Sequence, residues 1–279
     1  MRPRLSEPQE WIENRPTHGR RALRLDQLWR YRELVAFFAL RDVKVRYKQA
    51  IFGAAWAVVQ PLAGAAIFTV VFGRLAKVPS EGIPYLIFAF AGFSIWSYFS
   101  TSVDNARRSL VDNAALITKV YFPRLAAPVA SVVPRLVDLG VALLVLLVMM
   151  LWVGLVPGIA VLSAPLFLVA AVVVALGAGT LFAALTVQYR DIDHVFGLLI
   201  QLWLFATPVA YPSTLVRGNW RWLYHLNPMV GVVDGWRWSL LDAPPPGWPA
   251  LVSVLAGAVL LVVGLSVFQS TERRFADVI

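Results

Sequence analysis

The chain alternates between long stretches without a formal charge and short polar segments that collect most of its ionisable residues. Windows free of Asp, Glu, Lys and Arg run over 49–73, 82–103, 139–189, 194–216 and 243–271. A helix crossing a bilayer needs about 20 apolar residues, so each window holds one helix and the longest holds two. Val156-Pro157-Gly158 divides that longest window at a natural turn. Six spanning helices are expected, near 53–73, 84–103, 131–153, 163–188, 195–213 and 249–269. The third starts before its window and takes Arg135 and Asp138 into its first turns. The period-two alternation of a membrane barrel is absent, so the fold class is an all-α integral membrane protein.

The polar segments carry patterns of their own. Residues 1–30 are rich in Pro and Arg and read as a loosely held strap. In 31–52, Ala36, Leu40, Val43 and Tyr47 recur at helical spacing beside a stripe of Arg41, Lys44 and Lys48. This predicts an amphipathic helix lying at the membrane interface, its lysines reaching lipid phosphates. Phe37 and Phe38 would be hard to leave in water. The 104–124 connection, "DNARRSLVDNAALITKVYFPR", can form a short helix with Leu110, Ala114 and Ile117 on one side, limited downstream by Pro123. Such a helix suits docking into a groove of a partner; a plain connector is the alternative.

The 214–248 connection holds five of the eleven tryptophans, at 220, 222, 236, 238 and 248. It breaks at Asn227-Pro228 and continues as "MVGVVDGWRWSLL", too short and too charged to span. One or two half-inserted helices are expected. The aromatics either form a belt in the headgroup layer or also line an exit path. The turn "YRDIDH" at 189–194 packs Arg190, Asp191, Asp193 and His194 between two uncharged runs. It either marks a water-exposed turn or touches another protein. Residues 271–279 form a tail.

Composition agrees with this picture. Hydrophobic residues make up 59%, charged residues 15%, and mean hydropathy is +0.68, leaving too little charge to cover a soluble surface. Six spans put both termini on one side. The segments on that side carry nineteen Lys and Arg, the opposite connections five. The positive-inside rule therefore makes both termini cytoplasmic. The net charge of +9 is mostly this asymmetry, with attraction to anionic lipid, rather than a nucleic-acid footprint. Without cysteine there is no disulfide framework or thiolate site. The charged first fifty residues argue against a cleaved signal peptide.

Several chemistries lack their residues. No G-x-x-x-x-G-K-[ST] motif occurs, so the chain shows no phosphate-cradling loop of its own. His18, His194 and His225 have no metal-binding spacing, and no metal site is expected. Asp191 and Asp193 could hold Mg²⁺ against a diphosphate as a transferase would need, but Arg190 offsets their charge and no second acidic cluster supports them. Arg135 and Asp138, three residues apart, form either a structural ion pair or part of a polar path. No span carries a chain of Asp, Glu or His for a proton relay, and no two-fold repeat is evident.

Five blocks in order, "WRYRELVAFFALRDVKVRYKQAIFGAAWAVVQP" (29–61), "LITKVYFPR" (116–124), "YRDIDHVFGLLIQLWLFATPVAY" (189–211), "LNPMVGVVDGWRWSLL" (226–241) and "ERRFADVI" (272–279), resemble the membrane permease subunit of ABC-type polysaccharide exporters. This family serves O-antigen, capsule, teichoic acid and galactan. The resemblance covers nearly everything from Trp29 onward.

It implies a six-helix subunit that pairs as a homodimer in the cytoplasmic membrane of a bacterium. Two copies of a separate nucleotide-binding subunit would bind the ATP and Mg²⁺, so this chain would be non-catalytic and hold no cofactor. The substrate would be a lipid-linked polysaccharide. The resemblance assigns coupling to 104–124 with the interface helix and the 189–194 turn beside it: Arg107, Arg108, Leu110, Asn113, Ile117, Lys119, Arg41, Lys44, Arg190 and Asp191. Candidate glycan-path aromatics, taken by composition and depth, are Trp56, Phe68, Phe72, Phe93, Trp96, Trp203 and Phe205. Alternatives are an exporter of drugs or small lipids, a membrane-embedded glycosyl- or phosphotransferase, and a structural scaffold.

Overall fold

A computed structural model describes residues 29–48, 55–117, 122–189, 191–216, 218 and 220–272, with the backbone alone at Ala57, Leu116 and Ile117. Residues 1–28 of the 1–30 strap, Lys119, Arg190 and the tail from Arg273 therefore lie outside the described residues. Among the described residues all regular structure is helical.

Helix α1 is Arg32–Lys48, with Glu33 in its first turn and Arg46 and Lys48 in its last, charges that complement its dipole. Helix α2, Ala55–Phe68, runs on as a π-helix over Thr69–Leu75. Helix α3 is Tyr85–Asp112. A short turn of helix at Ala114–Ile117 precedes α4, Ala126–Val132, and α5, Pro134–Val153. Pro134 opens α5, where a first-turn residue has no helical partner for the amide hydrogen that proline lacks. Gly154 ends α5 in the left-handed conformation (φ 77°). A 3₁₀ turn at Ile159–Ser163 leads into α6, Ala164–Gln188. Then come α7, Ile192–Phe205; α8, Trp220–His225; α9, Pro228–Leu241; and α10, Ala250–Thr271.

Helix α3 is the central post: seventeen of its 28 residues are buried. It packs against α2, α4, α5, α6 and α9. Helices α6 and α10 approach closely. A Cβ on Gly264 would stand 2.1 Å from the Gly177 carbonyl oxygen. Without a hydrophobic driving force inside lipid, such small-residue contacts let dispersion hold helices together. The core continues from this seam through Phe88, Phe99, Val103, Leu146 and Trp236. A second cluster joins Leu110, Leu125, Val187 and Phe268 at one end, and a third seats Phe38 on Phe122, Ala126 and Ala130.

Among the described residues, five helices are long and apolar enough to cross a membrane: Val58–Leu75, Tyr85–Asp112, Ala126–Val153, Ile159–Gln188 and Ala250–Thr271. The chain is thus a multi-pass membrane protein. The fifth expected span, 195–213, is helical only over Ile192–Phe205, and residues 206–212 form a turn. Pro208 and Pro212 lack the amide hydrogen a helix needs and push the residue before them out of helical geometry.

Two further boundaries and the packed face of α1 differ from expectation. Helix α3 does not stop at Val103 but continues to Asp112, so nine residues of the expected 104–124 connection extend the span. Asp104 supports the extension through ion pairs one turn on, with Arg107 (2.7 Å) and Arg108 (3.4 Å). The third span starts at Ala126, earlier than 131, and breaks at Val133. On α1 the packed stripe is Leu34, Val35, Phe38 and Ala39, while Ala36, Phe37 and Leu40 are exposed. Phe38 fits edge-on against Phe122, with centroids 5.6 Å apart, which sets the rotation of the helix.

Candidate functional site

One group of charged residues lies at an end of the bundle, on α1, α3, α5 and α7. Arg107 lies on the last turns of α3, and its guanidinium is 1% exposed. It donates to Asp104 at 2.7 Å and to the carboxylate of Asp193 in the first turn of α7. Its planar face covers the Phe196 ring, centroid 4.4 Å away. Phe196 in turn meets Phe182 of α6 edge-on at 5.2 Å. Asp104 and Asp193 keep 40% and 53% exposure. The buried cation is therefore shielded by carboxylates that themselves remain hydrated, a cheaper arrangement than a fully buried pair.

A second network joins α1 to α5. The Tyr47 hydroxyl donates to one oxygen of Asp138, while Arg46 (3.0 Å) and Arg135 (3.1 Å) engage the other. Arg135 also donates to Asn105 of α3 at 2.8 Å. The Arg135–Asp138 pair anticipated from sequence spacing is formed, and it anchors the interface helix as well. Burial, and secondarily the contact with Asp138, pushes the Tyr47 hydroxyl up to about 12. Nearby, Arg41 donates to Asn113 at 3.0 Å and pairs with Asp42 at 2.8 Å. Beside this second network lies a cavity of about 470 Å³, walled by Phe38, Arg41, Arg46, Asn105, Asp112 and Arg135. Arg124, on the segment after α3, donates to the Glu272 carbonyl and ties that segment to the end of α10.

The structure thus brings Arg41, Arg107 and Asn113 to one end of the bundle, with Arg108 exposed beside them. Lys44 and Asp191 are exposed. Leu110 is fully buried in the second apolar cluster, so it anchors α3 and is not free to enter a partner's groove. The Ile117 side chain, Lys119 and Arg190 lie outside what is described. Sequence spacing does not reveal the link from Arg107 to Asp193; the cluster of Arg190, Asp191, Asp193 and His194 is its one visible signal. Asp193 is occupied by Arg107, leaving it poorly placed to share a metal with Asp191.

The aromatic candidates divide by position. Phe68, Phe72 and Phe93 form one half-buried cluster between α2 and α3, at centroid distances of 5.1 and 4.8 Å from Phe68. Trp56 and Phe205 are exposed at 58% and 51%. Trp96 is buried and packs on Phe99. Trp203 meets Phe99 at 4.9 Å and donates its indole N–H to Asn227 at 2.8 Å.

The model of the ABC-2 type transporter family matches residues 33–241. An O-antigen export system permease protein, RfbA, of Klebsiella pneumoniae is 28% identical over 248 residues, covering 88% of this chain and 95% of the relative. Its namesake from Myxococcus xanthus is 30% identical over 254 residues, covering 90% and 97%. The family match spans most of the chain, and the chain belongs to the ABC-2 type transporter family. It is a membrane permease subunit of that kind.

Proposed function

We propose that this chain is the membrane-embedded half of an ATP-driven exporter that moves a lipid-linked polysaccharide of the O-antigen kind out across the cytoplasmic membrane. The observation that carries this reading is the near end-to-end alignment with O-antigen export permeases. Family membership implies a separate ATPase, in keeping with the missing phosphate-binding loop. In this reading two nucleotide-binding subunits hold ATP and Mg²⁺, and the permease is a homodimer with both termini in the cytoplasm. The Arg107 end then faces the ATPase, a reading supported by the excess of Lys and Arg on that side.

Closure of the ATPase pair would press on α1 and on the segment after α3. Arg107 would pass the displacement to α7 through Asp193, and the Tyr47–Asp138–Arg135 network would pass it to α5. Sugars stack their C–H faces on aromatic rings, so Trp56, Phe205 and the Phe68 cluster could guide a polymer. Weak, repeated contacts suit a sliding chain, because a tight site would stall it.

The test is ligand-dependent ATP hydrolysis by the permease–ATPase complex in lipid. Lipid-linked glycan should stimulate turnover and small amphiphilic drugs should not. The reverse result would assign the complex to drug or small-lipid export instead.

A further inference from the structure

Helix α7 has only one buried residue, Phe196, yet both its ends are gripped. At one end Arg107 holds Asp193 and covers Phe196. At the other, the turn 206–209 is held by α9 through two side chains. Asn227 caps α9 by accepting from the Met229 amide at 3.0 Å and also accepts the Trp203 indole N–H at 2.8 Å. Its amide group donates to the Ala206 carbonyl at 2.9 Å and to the Thr207 hydroxyl at 3.0 Å. Arg237, nearly three turns further along α9, is 2% exposed. It donates to the carbonyls of Pro208 and Val209 and, at 3.1 Å, to that of Phe88 on α3.

The arrangement is built for close fit. Arg237 lies 3.6 Å over the Phe88 ring. A Cβ on Gly92 would stand 2.4 Å from its Nη2 and 2.9 Å from the Val209 oxygen, so glycine there makes the room. A 14-residue helix is about 21 Å long, short of a bilayer's hydrocarbon core. The turn that follows is therefore non-helical backbone at membrane depth. Such backbone persists only where protein groups satisfy its carbonyls. Asn227 and Arg237 do so, and both belong to one helix.

On the export reading above, we infer that Asn227 and Arg237 are positioning residues that fasten α7 to α9, so that displacement of Asp193 at the ATPase end is delivered to α9 on the side where the substrate would exit. Helix α7 then acts as a strut, loosely packed along its length and fixed at both tips. The exit moves with the power stroke because the two structures share the 206–209 turn.

Two substitutions separate positioning from folding. Asn227→Asp keeps the cap on α9 and the acceptor for Trp203 but loses donation to the turn. Arg237→Lys keeps the charge but cannot fork to three carbonyls. The complete permease–ATPase complex is reconstituted in vesicles, and export and ATP hydrolysis are each measured per assembled complex. Export should fall about fivefold or more in both variants while hydrolysis is retained. Parallel loss of both activities, or no loss of either, would overturn the inference. Failure of both variants to assemble would overturn it too, since the bonds would then serve the fold alone. Failure of the export reading is distinguishable, because it would appear in the unsubstituted complex as ATP hydrolysis without export.

Discussion

Arg107, buried near the end of α3, grips the carboxylate of Asp193 across the junction with α7. The contact joins the central post of the bundle to its least enclosed long helix. A double-mutant cycle between Arg107→Ala and Asp193→Ala should report a coupling of about 1–2 kcal/mol in thermal stability, reduced from a buried pair because Asp193 is half exposed. Additive losses would show that the two residues act independently. Arg107→Lys should also weaken the junction, because an ammonium cannot face both carboxylates while stacking on Phe196.

The anchoring of α1 rests on Asp138, which three side chains share. Tyr47→Phe removes one neutral donor and should cost about 1 kcal/mol. Asp138→Ala removes the carboxylate shared by Arg46 and Arg135, leaves Arg135 with Asn105 alone among the described residues, and should cost about 2–3 kcal/mol. Limited proteolysis around Lys48 measures the release of the helix, and equal sensitivity of the two variants would contradict the ranking. The fold raises the Tyr47 hydroxyl to about 12 from an ordinary value of about 10. Its contribution is therefore complete below about pH 10 and lost as pH rises towards the folded value.

Gly264→Ala places a methyl group against the Gly177 carbonyl, a backbone atom that cannot rotate away. Helices α6 and α10 must separate, at a cost of about 2–3 kcal/mol. A lowered Tm in detergent is the expected outcome. An unchanged Tm would mean that the two helices cross elsewhere.

The absence of cysteine makes sidedness simple to measure. In intact cells, a membrane-impermeant thiol reagent should label Thr214→Cys and spare Lys119→Cys. Labelling of position 119 from outside would reverse the orientation on which coupling depends.

The charge-free windows locate α2, α3, α5, α6 and α10 because length and apolarity alone decide which helices span. They misplace the end of α3, since Asp104, Arg107 and Arg108 resemble a loop until their i,i+3 and i,i+4 pairs are seen. On α1 the adjacent Phe37 and Phe38 leave the packed side open, and Phe122, 84 positions away, decides it. Arg237 is the clearest omission. In sequence it is one charge in the 214–248 connection; its three carbonyl partners lie 28, 29 and 149 residues away. No local pattern encodes contacts of that range, and the same holds for Asn227 and Trp203.

The most direct test is transport itself, with the permease and its nucleotide-binding subunit reconstituted in vesicles containing a lipid-linked O-antigen-type glycan. The account predicts glycan translocation that requires ATP and both proteins, with no ATP turnover by the permease alone. ATP hydrolysis by the isolated permease, or translocation that proceeds without the partner, would contradict it.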